Sequence, residues 1–376
     1  MTNELARELM DEFAERTGLS GHASPRRYLW TDAFAVCNFV GLSRATGDDR
    51  YLKFALQLID QVHHVLGRHR PDDPRQGWIS GLSDDEGERH PTRGGLRIGK
   101  KLNERAPDQL PDARLEWEQD GQYFHYLTKW MHALYRASQE TEDARYYRWA
   151  AELASVAHQA FTFSDSLGRN QMVWKMSIDL SRPLVNSMGH HDPLDGLITF
   201  LELQTAEGFV TQADIDLTSA IMDMTEMCAQ GRWATEDPLG IGGLLDDAVR
   251  VAQMVVVHGV EVRDLLIRLL REIESSLRAF AGMSPLRYSA DQRLAFRELG
   301  LSIGVHGLDW IAGLVSRDAD AAALIRDLLA YRSLAEQIEE FWSQPLHREN
   351  HSWMDHCDIN TVMLATSLAP DSYLKI

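Results

Sequence analysis

The feature that most constrains this chain is a helical hairpin that occurs twice. Leu42-Ser43-Arg44-Ala45, then Thr46-Gly47-Asp48-Asp49-Arg50-Tyr51, then Ala55, is echoed by Leu134-Tyr135-Arg136-Ala137, then Thr141-Glu142-Asp143-Ala144-Arg145-Tyr146, then Ala150. In each copy one helix ends, a short turn follows, and Thr or Asp is placed to cap the next helix. Self-similar hairpins signal a solenoid or a closed ring of hairpins. The helical period runs on elsewhere: Tyr51, Ala55, Leu58, Val62 and Val65 recur at steps of three and four, as do Val262, Leu266, Leu269, Ile273 and Phe280. Strand-like alternation is confined to 171–178, where Met172, Trp174, Met176 and Ile178 predict one short β-hairpin with turns at Gly168-Arg169-Asn170 and Ser181-Arg182-Pro183.

Reading on with this template gives two sets of helices. Inner helices, apolar nearly all round, are expected to start near Leu29, Gln122, Pro193, Gly243, Gly304 and Trp353. Outer helices with a charged face are expected over 4–17, 48–67, 143–161, 212–229, 261–280 and 319–341. Six of each make an all-α, (α/α)6 toroid in one domain over 1–376, with 68–120 as an inserted cap or lid, since so long a connection exceeds ordinary helix–helix loops. The turn and helix start at Thr46 to Ala55 and Thr141 to Ala150 resemble those of the six-hairpin (α/α)6-barrel glycosidases and sugar epimerases. That resemblance covers nearly the whole chain in architecture and implies a carbohydrate-active enzyme.

Composition narrows the partners. The 38 Lys+Arg against 56 Asp+Glu give a net charge of −18, which disfavours nucleic acid and anionic membrane surfaces. Cys37, Cys228 and Cys357 form no metal-type pair and no disulfide framework. The stretch 1–17 reads as an acidic amphipathic helix rather than a signal peptide, so a cytoplasmic protein is expected. A homo-oligomer is compatible with this reading.

Polar chemistry gathers near the proposed inner-helix starts. The clusters are Tyr28-Leu29-Trp30-Thr31-Asp32, the run from Glu116 to Tyr126, His190-His191-Asp192-Pro193-Leu194-Asp195, Asp246-Asp247, His306-Gly307-Leu308-Asp309-Trp310, and the run from His351 to Asp358. Inner helices of a hairpin ring run the same way, so these starts are expected to converge on one mouth. Carboxylates, imidazoles and indoles together suit a saccharide, whose faces stack on aromatic rings. A glycoside hydrolase acting on a small, even anionic, saccharide is the leading expectation, with Asp120 and Asp192 as the carboxylate pair and Asp32 and Asp355 in reserve. Asp120, between Glu118 and Gln122, is expected to have its carboxyl raised by burial and like charge. Trp30, Trp117 and Trp353 are expected to stack on the sugar, and Gln122, His125, His190, His191, His306 and His356 to orient its hydroxyls. Within 89–105, Arg89, Arg93, Arg97, Lys100, Lys101 and Arg105 face one acid, Glu104; Arg97 and Lys100 are expected to receive an anionic group, unless the patch pairs with Asp108, Asp112, Glu116 and Glu118 downstream.

Bland readings stand beside these. Asp192 before Pro193 fits a helix cap, Asp246-Asp247 a cap plus solvated charge, the tryptophans core filling, and His63-His64 an outer surface. No cofactor is expected. A divalent metal is the alternative at His190-His191-Asp192 or at His351, Asp355, His356 and Asp358, although adjacent helical residues point about 100° apart. Competing functions are an epimerase or isomerase using His191, His306 and His356, a uronate lyase, a terpene-cyclase-like toroid without its D-x-D-D motif, and a non-catalytic helical-repeat binding protein.

Overall fold

The computed structural model describes residues 2–21, 24–110, 112, 114–206, 215–229 and 231–376. In chain order the helices are α1 (Thr2–Arg16), α2 (Leu29–Thr46), α3 (Asp49–Leu66), α4 (Asp84–Arg89), α5 (Phe124–Thr141), α6 (Ala144–Phe161), α7 (Asp192–Gln204) and α8 (Thr218–Cys228), followed by α9 (Pro238–Val256), α10 (Arg263–Met283) and α11 (Ala295–Leu314). The last are α12 (Ala319–Leu328), α13 (Ser333–Ser343), α14 (Pro345–Arg348), α15 (His351–Met354), α16 (Cys357–Leu368) and α17 (Asp371–Leu374). The first residues of the outer helix expected over 212–229 lie outside the described residues. The chain packs as two compact units, Glu15–Gly231 on the one hand and Met1–Ala14 with Arg232–Ile376 on the other.

In the unit Glu15–Gly231 the repeated punctuation folds as read. Thr46 Oγ1 donates to Leu42 O at 2.7 Å, Gly47 takes φ 69°, and the Asp48 carboxylate accepts from Arg50 N at 2.9 Å. The echo is close: Thr141 Oγ1 donates to Ala137 O at 2.8 Å, Glu142 takes φ 56°, and Asp143 accepts from Arg145 N at 2.9 Å. Each hairpin then buries its matched pair, Tyr51 with Ala55 and Tyr146 with Ala150. Helices α2, α5 and α7 are buried nearly all round, while α3 and α6 bury one face each.

The strand expectation needs one correction. β2 (Thr162–Ser164) pairs with β3 (Asn170–Met172) around the Gly168 turn, but Lys175–Met176 (β4) pairs instead with Gln122–Tyr123 (β1). Trp174 donates its backbone N–H to Ser187 O at 3.1 Å and accepts one from Phe124, so the chain changes partner between Met172 and Lys175.

In the unit containing Arg232–Ile376, α9, α11 and α16 are buried all round and α10, α12 and α13 on one face. Two expected starts shift. α9 begins at Pro238, with the Asp237 carboxylate capping Gly240 N at 3.2 Å, and α11 at Ala295 rather than near Gly304. Gly304, expected at a start, instead belongs to a packing seam with Gly242 and Gly300. A Cβ on Gly242 would lie 2.2 Å from Gly300 O, and one on Gly304 would lie 2.6 Å from Leu245 Cβ, so only glycine lets α9 and α11 approach this closely. The outer stretch 319–341 is broken into α12 and α13 by a 3-10 turn at Leu329–Tyr331. No helix among the described residues is long and apolar enough to cross a membrane.

Candidate active site

The first turns of α2, α5 and α7, with the β1–β4 ladder, assemble a connected group of rings and carboxylates in the unit Glu15–Gly231. Trp117, more than half exposed, stacks on Trp174 with centroids 5.0 Å apart and planes at 23°. Trp174 meets Tyr123 edge-on at 5.1 Å, and Tyr123 stacks on His125 at 5.7 Å. Tyr126 stands against both, at 5.0 and 4.9 Å, and its hydroxyl lies 2.8 Å from that of Tyr28. The series ends at a carboxylate: His125 Nδ1 is 3.5 Å from Oδ1 of the buried Asp192.

Asp192 opens α7 with Pro193 behind it, the arrangement that favours a helix start. Its Oδ2 is buried and makes no hydrogen bond among the described residues. Gly189 crosses directly above it; a Cβ there would lie 2.4 Å from the Asp192 carboxyl carbon. One turn on, buried Asp195 lies 3.6 Å from Lys129 Nζ. Asp192 and Asp195 are i,i+3 neighbours, which puts their β-carbons on the order of 5–6 Å apart on one helix face. His190 and His191 precede them with rings 4.5 Å apart, His190 exposed and His191 half-buried.

Beneath the rings lies an ammonium that the sequence did not announce. Lys175 is fully buried, donates to Glu116 O at 2.5 Å, Glu116 Oε2 at 3.2 Å and Gln119 O at 3.1 Å, and sits 5.5 Å from the Tyr123 ring centre. Burial pushes its pKa down while Glu116 pulls it back. The Tyr123 phenol is held well above its ordinary range, first by burial and then by Tyr28 and the nearby acids.

Several expected site residues are builders of this shelf rather than parts of its surface. Asp120 is fully buried, but among cations and amides rather than like charges: Arg97 Nη1 lies at 2.6 Å, Arg70 Nη1 at 3.3 Å, and the N–H groups of Gly99 and Lys100 at 3.0 and 3.3 Å. The expected crowding by negative charge is therefore corrected. Arg97 is buried and bonded to Asp120, Arg68 O and Val65 O, so it braces the loop from within rather than facing a ligand. The buried Gln122 side chain accepts from Leu96 N at 2.8 Å and donates to Gly94 O and Ile178 O, pinning the cap segment instead of a hydroxyl. Arg105 pairs with Glu116, and Arg93 lies 3.3 Å from Glu152, so with Arg97 three of the six basic residues answer the chain's own acids. Lys100 places its Nζ 5.5 Å from the Tyr28 ring centre. Asp32 accepts from Tyr28 N at 2.9 Å and lies 3.3 Å from Arg27, a helix-start role, and buried Trp30 packs on Phe34.

The remaining candidates belong to the other unit. Trp353 is buried against Trp342 at 5.7 Å, Asp355 and His356 are exposed, and His356 meets Phe296 edge-on. His306 lies in the second half of α11, not at its start, and its Nε2 is 2.6 Å from Glu339 Oε1. Asp246 and Asp247 are buried in the middle of α9, which corrects their reading as a cap with solvated charge. Among the described residues no group of three or more His, Cys, Asp or Glu is arranged to hold a metal ion.

A GH76 α-mannanase of Bacteroides thetaiotaomicron matches over 99% of this chain and 96% of its own, at 8% identity and TM-score 0.56. An inactive variant of a GH76 α-1,6-mannanase from a Salegentibacter species, with two consecutive aspartates replaced by asparagine and α-1,6-mannotriose bound, matches over 98% and 99%, at 12% identity and TM-score 0.55. The fold is the (α/α)6 toroid. It is the architecture of the six-hairpin glycosidase and epimerase superfamily, to which these neighbours belong. A cellobiose 2-epimerase from Spirochaeta thermophila overlays less well, at TM-score 0.47 over 87% of this chain and 84% of its own, with 11% identity. Neither a protein-family model nor a curated relative matches the sequence.

Proposed function

We propose that the protein is a glycoside hydrolase that seats a saccharide on the Trp117–Trp174 shelf, backed by the buried Tyr123, and works through the Asp192–Asp195 pair. One observation carries the reading: an exposed stack of aromatic rings leads by unbroken ring contact to a buried carboxylate with an oxygen not engaged in a hydrogen bond. Pyranose faces are recognised by such rings, and glycosidic cleavage needs two carboxyl groups in different protonation states. Asp195, held 3.6 Å from the Lys129 ammonium, is placed to act as the base or nucleophile. Asp192 Oδ2 is the oxygen available to carry a proton to the leaving group. Asp120, the partner expected from sequence, gives way to Asp195 because its carboxylate is committed to Arg97 and Arg70. With Arg97 also committed, a neutral saccharide fits better than an anionic one.

A second reading is favoured by one specific observation. The inactive mannanase variant lacks two consecutive aspartates, and the adjacent pair Asp246-Asp247 is buried on both members here. That reading gives the acid–base work to Asp246 and Asp247.

Incubation with a saccharide panel that includes α-1,6-mannotriose, in heavy-oxygen water, tests the proposal by mass spectrometry. A shortened product carrying the label is expected. Asp192→Asn and Asp195→Asn should each lower its rate by at least 10²-fold. Full activity in both, with loss in Asp246→Asn/Asp247→Asn, transfers the chemistry to α9. Cleavage without label at the new reducing end indicates a lyase, and deuterium exchange without cleavage an epimerase.

A further inference from the structure

On the outer side of the α3–α6 hairpins, α4 closes a pocket of about 130 Å³ that shares no residue with the aromatic shelf. We propose that this pocket is a second carbohydrate-binding site, taking one neutral pyranose residue. The inference rests on the carbohydrate reading of the chain and adds a site to it. The volume is close to that of an engineered cavity that holds one benzene, roughly 150 Å³, so the pocket is on the scale of a single six-membered ring.

The lining has the chemistry of a sugar site. The half-buried Trp149 supplies aromatic surface, with the buried Trp78 and Tyr146 behind it, and Trp149 is fixed by its Nε1–H donating to Arg89 O at 2.9 Å, with Tyr146 edge-on at 5.4 Å. Buried His63 stands edge-on to Trp149 at 5.0 Å. Trp130 Nε1 donates to His63 Nε2 at 3.2 Å, which leaves the ring proton on Nδ1 and makes His63 a neutral donor. The carboxylates of the lining are already answered: His64 Nδ1 is 3.3 Å from Asp60 Oδ1 and its Nε2 is 2.8 Å from Glu88 Oε1. Arg145, the guanidinium of the lining, is held by Asp143 at 2.7 Å, so an anionic ligand would compete with the chain's own carboxylates. A neutral ligand that stacks and offers hydroxyls to Glu88, Asp60 and His63 gains from all of them.

Saturation-transfer NMR with methyl α-mannopyranoside, methyl α-glucopyranoside and methyl β-galactopyranoside tests the site on the full chain. The variants are Trp149→Ala, Leu56→Trp, which fills the pocket from a half-buried lining position, and a shelf variant, Trp117→Ala/Trp174→Ala. At least one glycoside should keep half or more of its signal in the shelf variant. That remainder should fall at least fivefold when either pocket change is added. Loss of all signal in the shelf variant alone overturns the second site and leaves the shelf reading standing. Signal unchanged by Leu56→Trp, or absent from the native chain, also overturns it. Signal lost on the pocket changes alone supports the second site while removing the shelf as a sugar platform.

Discussion

His63 makes the stability of the chain depend on pH in a window that can be worked out beforehand. The side chain is 2% exposed, and burial, with a smaller contribution from His64, holds its pKa at about 3 against 6.5 when free. Between these values the unfolded chain binds a proton that the native chain does not. Stability therefore rises with pH from about 3 to 6.5 and is lost as pH falls through that window. At pH 5 the unfolded ring is almost wholly protonated and the native ring is not, which costs about 2 kcal/mol relative to pH 8. His64, raised above 6.5 despite its partial burial by hydrogen bonds to Asp60 and Glu88, acts in the opposite sense; its contribution is present below 6.5 and lost as pH rises. His63→Gln isolates the first effect, because Gln does not titrate yet can accept from the Trp130 indole. Urea unfolding at pH 5 and pH 8, followed by tryptophan fluorescence, should show the native chain losing about 2 kcal/mol more than His63→Gln on acidification. Equal losses in the two proteins would refute the assignment of a neutral, buried His63.

Two further expectations separate building residues from working ones. Asp120→Asn removes the charge that answers buried Arg97 while keeping an acceptor for Gly99 and Lys100; it should cost about 3–5 kcal/mol, read as a lower urea midpoint and faster hydrogen exchange at those two amides. An Asp120→Asn protein of native stability that has lost saccharide cleavage contradicts this and restores Asp120 to catalysis. Glu142→Gly should instead raise stability by about 1 kcal/mol, since Glu142 holds the left-handed conformation that Gly47 occupies without a Cβ in the matching turn. A thermal midpoint that stays put or falls would show that the Glu142 side chain earns its place in some other way.

The parts of the fold legible in the sequence are those decided locally. The Thr46–Asp48 and Thr141–Asp143 turns close by hydrogen bonds within a few residues, so the residue pattern contains its own explanation. α9 and α11 begin upstream of Gly243 and Gly304, where the apolar pattern alone would start them. Gly304, with Gly242 and Gly300, is where one buried helix meets another, and nothing local distinguishes a helix-breaking glycine from a helix-packing one. The Asp237-Pro238 pair was the available signal for α9, in the same cap-then-proline form that marked Asp192-Pro193.

The site divides along the same line. Trp117, His125 and Asp192 are brought together because each lies at or just before a helix start that the sequence marks. Asp120 and Gln122 lie in the same polar run, yet they face inward, because Arg97 and Gly94–Leu96 reach them from the preceding loop. The polar groups of that run thus have two jobs. Asp120 and Gln122, with Lys175 from β4, fix the backbone from below, while Trp117 and His125 present their rings above and the buried Tyr123 joins the two layers. A buried polar side chain must find partners or pay several kcal/mol, so the residues with complete hydrogen-bond sets are the ones already spent on holding the loop. By that criterion the proposal places the chemistry on Asp192, which has one buried oxygen making no hydrogen bond among the described residues, rather than on Asp120, whose carboxylate already accepts from Arg97, Gly99 and Lys100.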